Sequence, residues 1–177
     1  RADATGKTVG RLRKALVSGE AFLGPTRERF SARGISACEL YGTADLGAIA
    51  YESAAHAGLI IDEGVLVEIV LPGSGELAAE GEIGEVVVTT LTNRDYPLIR
   101  FATGDLSMLL PAGSPCGRTN VRLRGWMGRA DQTTKVRGLF VHPSQVAMIV
   151  SLHPEIRLAR FVIDHGEDGR DRMTLQV

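Results

Sequence analysis

Four stretches carry residue types whose order could do chemistry. Tyr41-Gly42-Thr43-Ala44-Asp45-Leu46-Gly47 brings a ring, a permissive glycine, a hydroxyl and a carboxylate to one strand end. The ring can stack on a base, the hydroxyl can bond a phosphate, and the carboxylate can hold hydrated Mg²⁺. The same residues also suit a tight turn with a capping Thr or Asp. Tyr96-Pro97-Leu98-Ile99-Arg100-Phe101-Ala102-Thr103-Gly104-Asp105-Leu106 is the second stretch. A carboxylate after Thr-Gly can accept two hydrogen bonds from a vicinal diol, as a ribose offers, or can simply close a hairpin. The third runs from Gly128-Arg129-Ala130-Asp131 to Lys135-Val136-Arg137-Gly138. Alternate cations on a strand share a side and could meet phosphates, although a solvated basic edge reads the same way. The fourth, Val141-His142-Pro143-Ser144-Gln145, is a strand-to-helix junction.

The elements that position these residues follow from punctuation and periodicity. Lys14–Val17 reads as a strand ending at Ser18-Gly19-Glu20, Arg27–Arg33 as a helix after Gly24-Pro25, and Ile35–Tyr41 as a second strand. Pro inside the helix start and Gly34 beyond its end fit the usual asymmetry. Strand, helix and strand form one βαβ unit, and ligands of such sheets bind beyond the carboxyl ends of the strands. After about Gly58 the pattern becomes antiparallel. Strands are expected at Val65–Leu71, Glu85–Leu91, Tyr96–Phe101, Leu106–Leu110 and Val121–Trp126. Thr133–Val136 and Leu139–Val141 are further strands, a helix runs from Pro143 to about Leu152, and Ile156–Ile163 and Met173–Val177 close the chain as strands. The fold expected is α/β: a βαβ unit, an antiparallel β subdomain, and a closing α+β stretch.

Composition narrows the function classes. The chain has 177 residues, 20 Lys+Arg against 21 Asp+Glu, 44% apolar and 5% aromatic residues. A near-neutral charge and few aromatics argue against nucleic-acid binding. No run reaches the roughly 18 apolar residues of a membrane span, and residues 1–20 lack a secretory core. Two cysteines do not make a disulfide framework. A cytoplasmic protein is the expectation. The start at Arg1 without Met and the stop at Val177 inside a strand suggest part of a longer chain.

Taken in order, Ser18-Gly19-Glu20, Tyr-Gly-x-x-acid, Arg-Phe-x-Thr-Gly-Asp-Leu, Gly-Arg-x-Asp-(x)3-Lys-x-Arg-Gly and Pro143-Ser144-Gln145 resemble the adenylate-forming superfamily of acyl- and aryl-CoA synthetases, luciferases and nonribosomal adenylation domains. Tyr96-Pro97-Leu98-Ile99-Arg100-Phe101, Cys116-Gly117-Arg118-Thr119 and Lys135-Val136-Arg137-Gly138 look like its phenylacetate–CoA ligase branch. The resemblance runs from about Leu16 to the end.

It implies an acid–thiol ligase. A carboxylate attacks the α-phosphate of ATP, giving acyl-AMP and pyrophosphate, and the thiol of coenzyme A then displaces AMP. It also implies that Ser18, Gly19 and Glu20 flank the adenine, that Tyr41 stacks on it beside Gly42, that Asp105 accepts the ribose hydroxyls, and that Arg129 supports ribose and phosphate. Asp131 matches the hinge between residues 1–130, the end of the large AMP-binding domain, and residues 131–177, the start of the lid. Lys135 and Gly138 follow that hinge, and Lys135 counts among the nucleotide-binding residues that the resemblance implies. The phosphate loop is expected upstream and the catalytic lysine beyond Val177, so this stretch alone should not adenylate at a useful rate. Exposed apolar surface left by such a division makes a homodimer the corresponding expectation.

Two departures bear on metals. The family loop usually reads Tyr-Gly-x-Thr-Glu, whereas here the hydroxyl is Thr43 and the acid is Asp45. Thr43 reaching the α-phosphate and Asp45 binding Mg²⁺ are carried over on that altered spacing. Some relatives hold cysteines and a histidine where zinc could bind. Here Glu52, His56 and Cys116 would supply three ligands only if the fold converged them, and Cys38 reads as a core residue. The alternative to a ligase is a catalytically degenerate module that binds AMP or a partner without ligation.

Overall fold

A computed structural model describes residues 5–6, 10–132, 134–136, 139–141, 143–165 and 171–177. Strand β1 (Lys14–Val17) and strand β2 (Ser36–Thr43) pair in parallel across helix α1 (Gly24–Ser31). The expected βαβ unit is therefore present, with its helix shifted toward Pro25. The helix stops early because the Gly34 N–H turns back to the Ser31 carbonyl (2.8 Å) at a φ of 67°. Arg27 ties α1 to the sheet: its guanidinium lies 4.4 Å from the Phe22 ring centroid and donates to Glu52 at 2.9 Å and to the Ala37 carbonyl at 3.3 Å.

The sheet does not end at β2. Strands β3 (Gly47–Glu52) and β4 (Leu59–Ile61) continue it antiparallel, followed by β9 (Arg122–Leu123) and β8 (Leu109–Leu110). Its order is β1-β2-β3-β4-β9-β8, one mixed sheet with its one parallel pair at the β1 edge. The sequence reading separates the βαβ unit from the antiparallel part and assigns no strand to β3 or β4. Tyr41, Gly42 and Thr43 consequently sit inside β2, paired with β3, rather than in a loop beyond a strand tip.

A second sheet is antiparallel, β5 (Val65–Val70), β6 (Gly84–Thr90) and β7 (Phe101–Ser107). Its first two strands lie where expected. The third differs: Tyr96–Arg100 is irregular and the strand begins at Phe101. Pro97 has no N–H to give a ladder, and Tyr96 and Ile99 are 74% and 73% exposed. The two sheets share a core of Ile49, Ala50, Leu59, Ile69, Val86, Val88 and Leu123. Tyr41 packs against it, which anchors the ring from below.

A 3₁₀ turn (Ala130–Gln132) leads to the hairpin β10 (Thr134–Val136) and β11 (Leu139–Val141), helix α2 (Pro143–Leu152), and the hairpin β12 (Arg160–His165) with β13 (Asp171–Gln176). β11 and α2 lie as the sequence predicts, whereas the first of the two terminal strands begins later, at Arg160. Among the described residues, no helix is long and apolar enough to cross a membrane.

Candidate functional site

Strand β7 carries a distortion where its chemistry lies. Its register with β6 shifts between Glu85 and Val87, and Gly104 adopts a φ of 73°. That is a bulge, which re-aims a side chain at the cost of local pairing. A Cβ at Gly104 would meet the Arg129 guanidinium at 2.5–2.9 Å. Glycine is required there both by its backbone angle and by the close approach of that cation. The Gly104 N–H is satisfied by Glu85 Oε1 at 2.9 Å, and the Thr103 hydroxyl donates to the Val86 carbonyl at 2.8 Å.

Asp105 emerges from this bulge at the centre of a cluster. The Tyr41 hydroxyl donates to its Oδ2 at 3.1 Å, Arg129 Nη1 donates to Oδ1 at 3.2 Å, and Trp126 Nε1 donates to Oδ1 at 3.1 Å. Arg129 is held in turn by the Thr103 carbonyl at 3.1 Å and by an Asp105–Arg129 β-bridge. Residues 124–128 run beside β7 and β8 through Arg124 N to Met108 O, Met127 N to Leu106 O and Leu106 N to Gly128 O. Burial pushes the Tyr41 phenol well above its usual value; the Thr103 hydroxyl opposes this and the Asp105 charge adds to it. Tyr41 therefore stays a neutral donor at any physiological pH.

The cluster faces a cleft of about 350 Å³ lined by Gly19, Glu20, Ala21, Glu39, Leu40, Tyr41, Gly42, Asp105 and Trp126. That volume suits a small organic ligand. Gly19, Glu20, Tyr41, Gly42 and Asp105 are thus brought together from the loop after β1, from β2 and from β7, with Arg129 behind the carboxylate. Ser18 lies on the same loop outside the lining. Thr43 is engaged elsewhere, its Oγ1 accepting the Leu46 N–H at 3.1 Å in the β2–β3 turn. Asp45 is exposed on that turn. Asp131 stands in the 3₁₀ turn, exposed, 3.4 Å from Arg129 Nε. Lys135 lies on β10; Thr133, Arg137, Gly138 and His142 fall outside the described residues. Sequence reasoning missed Trp126. Its signal was available, as the single Trp of the chain three residues before Arg129.

A second cluster lies on the far end of β2 and β3. Donor atoms of Cys38, Glu52 and His56 fall within 4.8 Å of one another. The convergence considered for Glu52, His56 and Cys116 does not form; Cys38 replaces Cys116, because β2 and β3 pair side by side there. Arg27 already supplies a positive charge at this point, donating to Glu52 Oε2 at 2.9 Å and to His56 Nδ1 at 3.0 Å, while the Glu39 N–H occupies Glu52 Oε2 at 3.0 Å. Cys116 sits in an exposed loop with its Sγ 3.0 Å from Ser114 Oγ.

No protein-family model matches the chain. Curated proteins do. Phenylacetate-coenzyme A ligase of Thermus thermophilus is 37% identical over 118 residues, 67% of this chain and 26% of that protein. The enzyme of the same name from Aromatoleum evansii is 31% identical over 172 residues, 94% of this chain and 38% of that protein. The chain therefore spans about a quarter to two fifths of the length of these relatives. Among solved structures, an open conformation of 2-hydroxyisobutyryl-CoA ligase, in complex with 2-HIB-AMP and CoA, aligns with a TM-score of 0.78 at 22% identity, covering 90% of this chain and 40% of that one. Anthranilate CoA ligase AuaEII in complex with anthranoyl-AMP aligns at 0.67 and 16% identity, over 99% of this chain and 36% of that one. At such identities these two speak for a shared fold.

Proposed function

The chain is a phenylacetate–CoA-ligase-like member of the adenylate-forming superfamily, and we propose that it supplies the adenosine-binding part of an ATP-dependent aryl- or acyl-CoA ligase. The observation that carries this is the meeting of Tyr41, Asp105 and Arg129 at one cleft, from elements far apart in the chain. The open side of the Tyr41 ring and the loop Gly19–Glu20 take the adenine. Asp105 accepts the ribose hydroxyls. Arg129 fixes the carboxylate's orientation and adds positive charge beside the phosphates.

The reaction is a carboxylate attacking the α-phosphate of ATP, with pyrophosphate leaving, then thioester formation with coenzyme A as AMP departs. Both steps develop charge on oxygen. This stretch contributes positioning and fixed charges rather than covalent chemistry. Asp45 is a single exposed carboxylate, and among the described residues it belongs to no cluster of metal ligands. It fits Mg²⁺ only as one oxygen beside the phosphates of ATP, which is how that ion usually enters such sites. Asp131, in a one-turn 3₁₀ segment joined to Arg129, would act as the hinge that opens residues 131–177. Lys135 follows it and would move with that part. Thr43 Oγ1 accepts the Leu46 N–H, which leaves its own O–H free to donate to a phosphate oxygen.

A cytoplasmic location and a homodimer are part of this reading. The deciding experiment is pyrophosphate release by the full-length protein with a panel of aryl and alkyl carboxylates. Release that depends on an aryl acid and rises with coenzyme A supports the ligase. AMP binding without release for any acid would overturn it.

A further inference from the structure

The Asp105 carboxylate is nearly full before any nucleoside arrives. A carboxylate offers about four lone-pair sites. Trp126 Nε1 and Arg129 Nη1 occupy Oδ1, and the Tyr41 hydroxyl occupies Oδ2. A vicinal diol needs two acceptor sites, so one of these donors must leave for both hydroxyls to bind.

The three donors are unequal. Arg129 is the charge partner of Asp105 and is also held by the Thr103 carbonyl and Asp131. Tyr41 packs on the core, so its phenol oxygen stays 3.1 Å from Oδ2 even when its one proton turns to Thr103 Oγ1 at 3.3 Å. Trp126 is neutral and has one polar atom. Its side chain lines the cleft, and the residue is 44% exposed. It stands between Gly125 and Gly128, whose φ values of 118° and 125° lie in glycine's territory. Its indole N–H can pass to water at little cost, whereas stripping Arg129 from a carboxylate costs a charge-assisted bond.

Resting on the nucleotide reading above, we propose that Trp126 is a specificity-determining gate on the ribose seat, which a 2′,3′-diol displaces and a single hydroxyl does not. A deoxyribose uses the one open site on Asp105 and leaves the indole in place. A ribose gains its second hydrogen bond only by moving the indole off Oδ1. Trp126 therefore lowers the preference for ribose over deoxyribose relative to an open carboxylate, and it ties indole position to the sugar bound.

The test compares AMP with 2′-deoxy-AMP by calorimetry on the wild-type chain and on Trp126→Phe, which keeps a ring and removes the N–H. The expected result is a ribose-to-deoxyribose affinity ratio about fivefold larger in Trp126→Phe, the size of one net hydrogen bond. The wild-type chain, with its single Trp, gives a second readout that needs no variant. Tryptophan emission shifts on saturation with AMP and stays put with 2′-deoxy-AMP. AMP binding with an unchanged ratio, or with emission that responds equally to both nucleotides, overturns the gate and leaves the nucleotide site standing. Failure of AMP to bind overturns both.

Discussion

The Tyr41 hydroxyl lies 3.1 Å from Asp105 Oδ2, across 64 positions of sequence. Nothing local brings them together. The contact exists because β2 belongs to one sheet and β7 to the other, and the shared core of Ile49, Val86 and Leu123 presses the two sheets into register. Changes in that core should therefore reach the site before they unfold the chain.

The Gly104 position tests the bulge. Gly104→Ala would place a Cβ against Arg129 at a φ unfavourable for alanine. Chemical denaturation should show a loss of about 1–3 kcal/mol. AMP affinity should fall with it, because Arg129 must move. Full retention of both would mean that the strand relaxes freely there.

Tyr41 gives a pH signature. Burial raises its pKa in the folded state above the ordinary phenol value of about 10. A raised folded pKa means that the folded state holds the proton more tightly, so the contribution is complete below about pH 10 and is lost as pH rises toward the folded value. Urea midpoints should fall between pH 10 and 11 more steeply in the wild type than in Tyr41→Phe. Parallel pH curves would show that the phenol is not buried as described.

Much of this arrangement was legible in the sequence, for reasons that can be located. Pro25 and Gly34 bracket α1 closely enough to reveal the βαβ unit, and Pro143 starts α2 where expected. Strands β3 and β4 were not legible. Ala48 and Ala50 carry little β-propensity, and the extended state of β3 is imposed by burial of Ile49 and Ala50 in the shared core; β4, Leu59–Ile61, is three residues long, too short to show a period. Tyr96–Ile99 erred the other way: its β-favouring side chains are exposed and Pro97 interrupts the ladder. Asp105 was legible through Thr-Gly-Asp, but its place inside a bulged strand was not, since a bulge depends on the partner strand. Trp126 escaped notice because its role comes from an indole N–H meeting a carboxylate 21 positions away.

The Glu52 carboxylate is a structural prediction. Its side chain is 6% exposed and accepts from Arg27 and from the Glu39 N–H. Glu52→Ala leaves both donors without that partner and frees α1 from β3. The expected loss is about 2 kcal/mol in a denaturation experiment. A loss under about 0.5 kcal/mol would mean that water replaces the carboxylate fully.

Cys116 should be the more reactive thiol. Hydrogen bonding from Ser114, then the Arg118 backbone and Ser53, lowers its pKa to about 7. Iodoacetamide labelling should reach half its maximal rate near that pH, and Ser114→Ala should move the midpoint upward. Labelling of Cys38 ahead of Cys116, or a midpoint unmoved by the substitution, would contradict the loop geometry.

The most direct measurement is a calorimetric titration of AMP into the wild-type chain and into Asp105→Asn. Asparagine keeps the shape and removes the charge that the ribose hydroxyls meet. AMP is expected to bind the wild type and to weaken about tenfold or more in the variant. Equal affinity in the two proteins would contradict the placement of adenosine in the cleft between Tyr41 and Asp105.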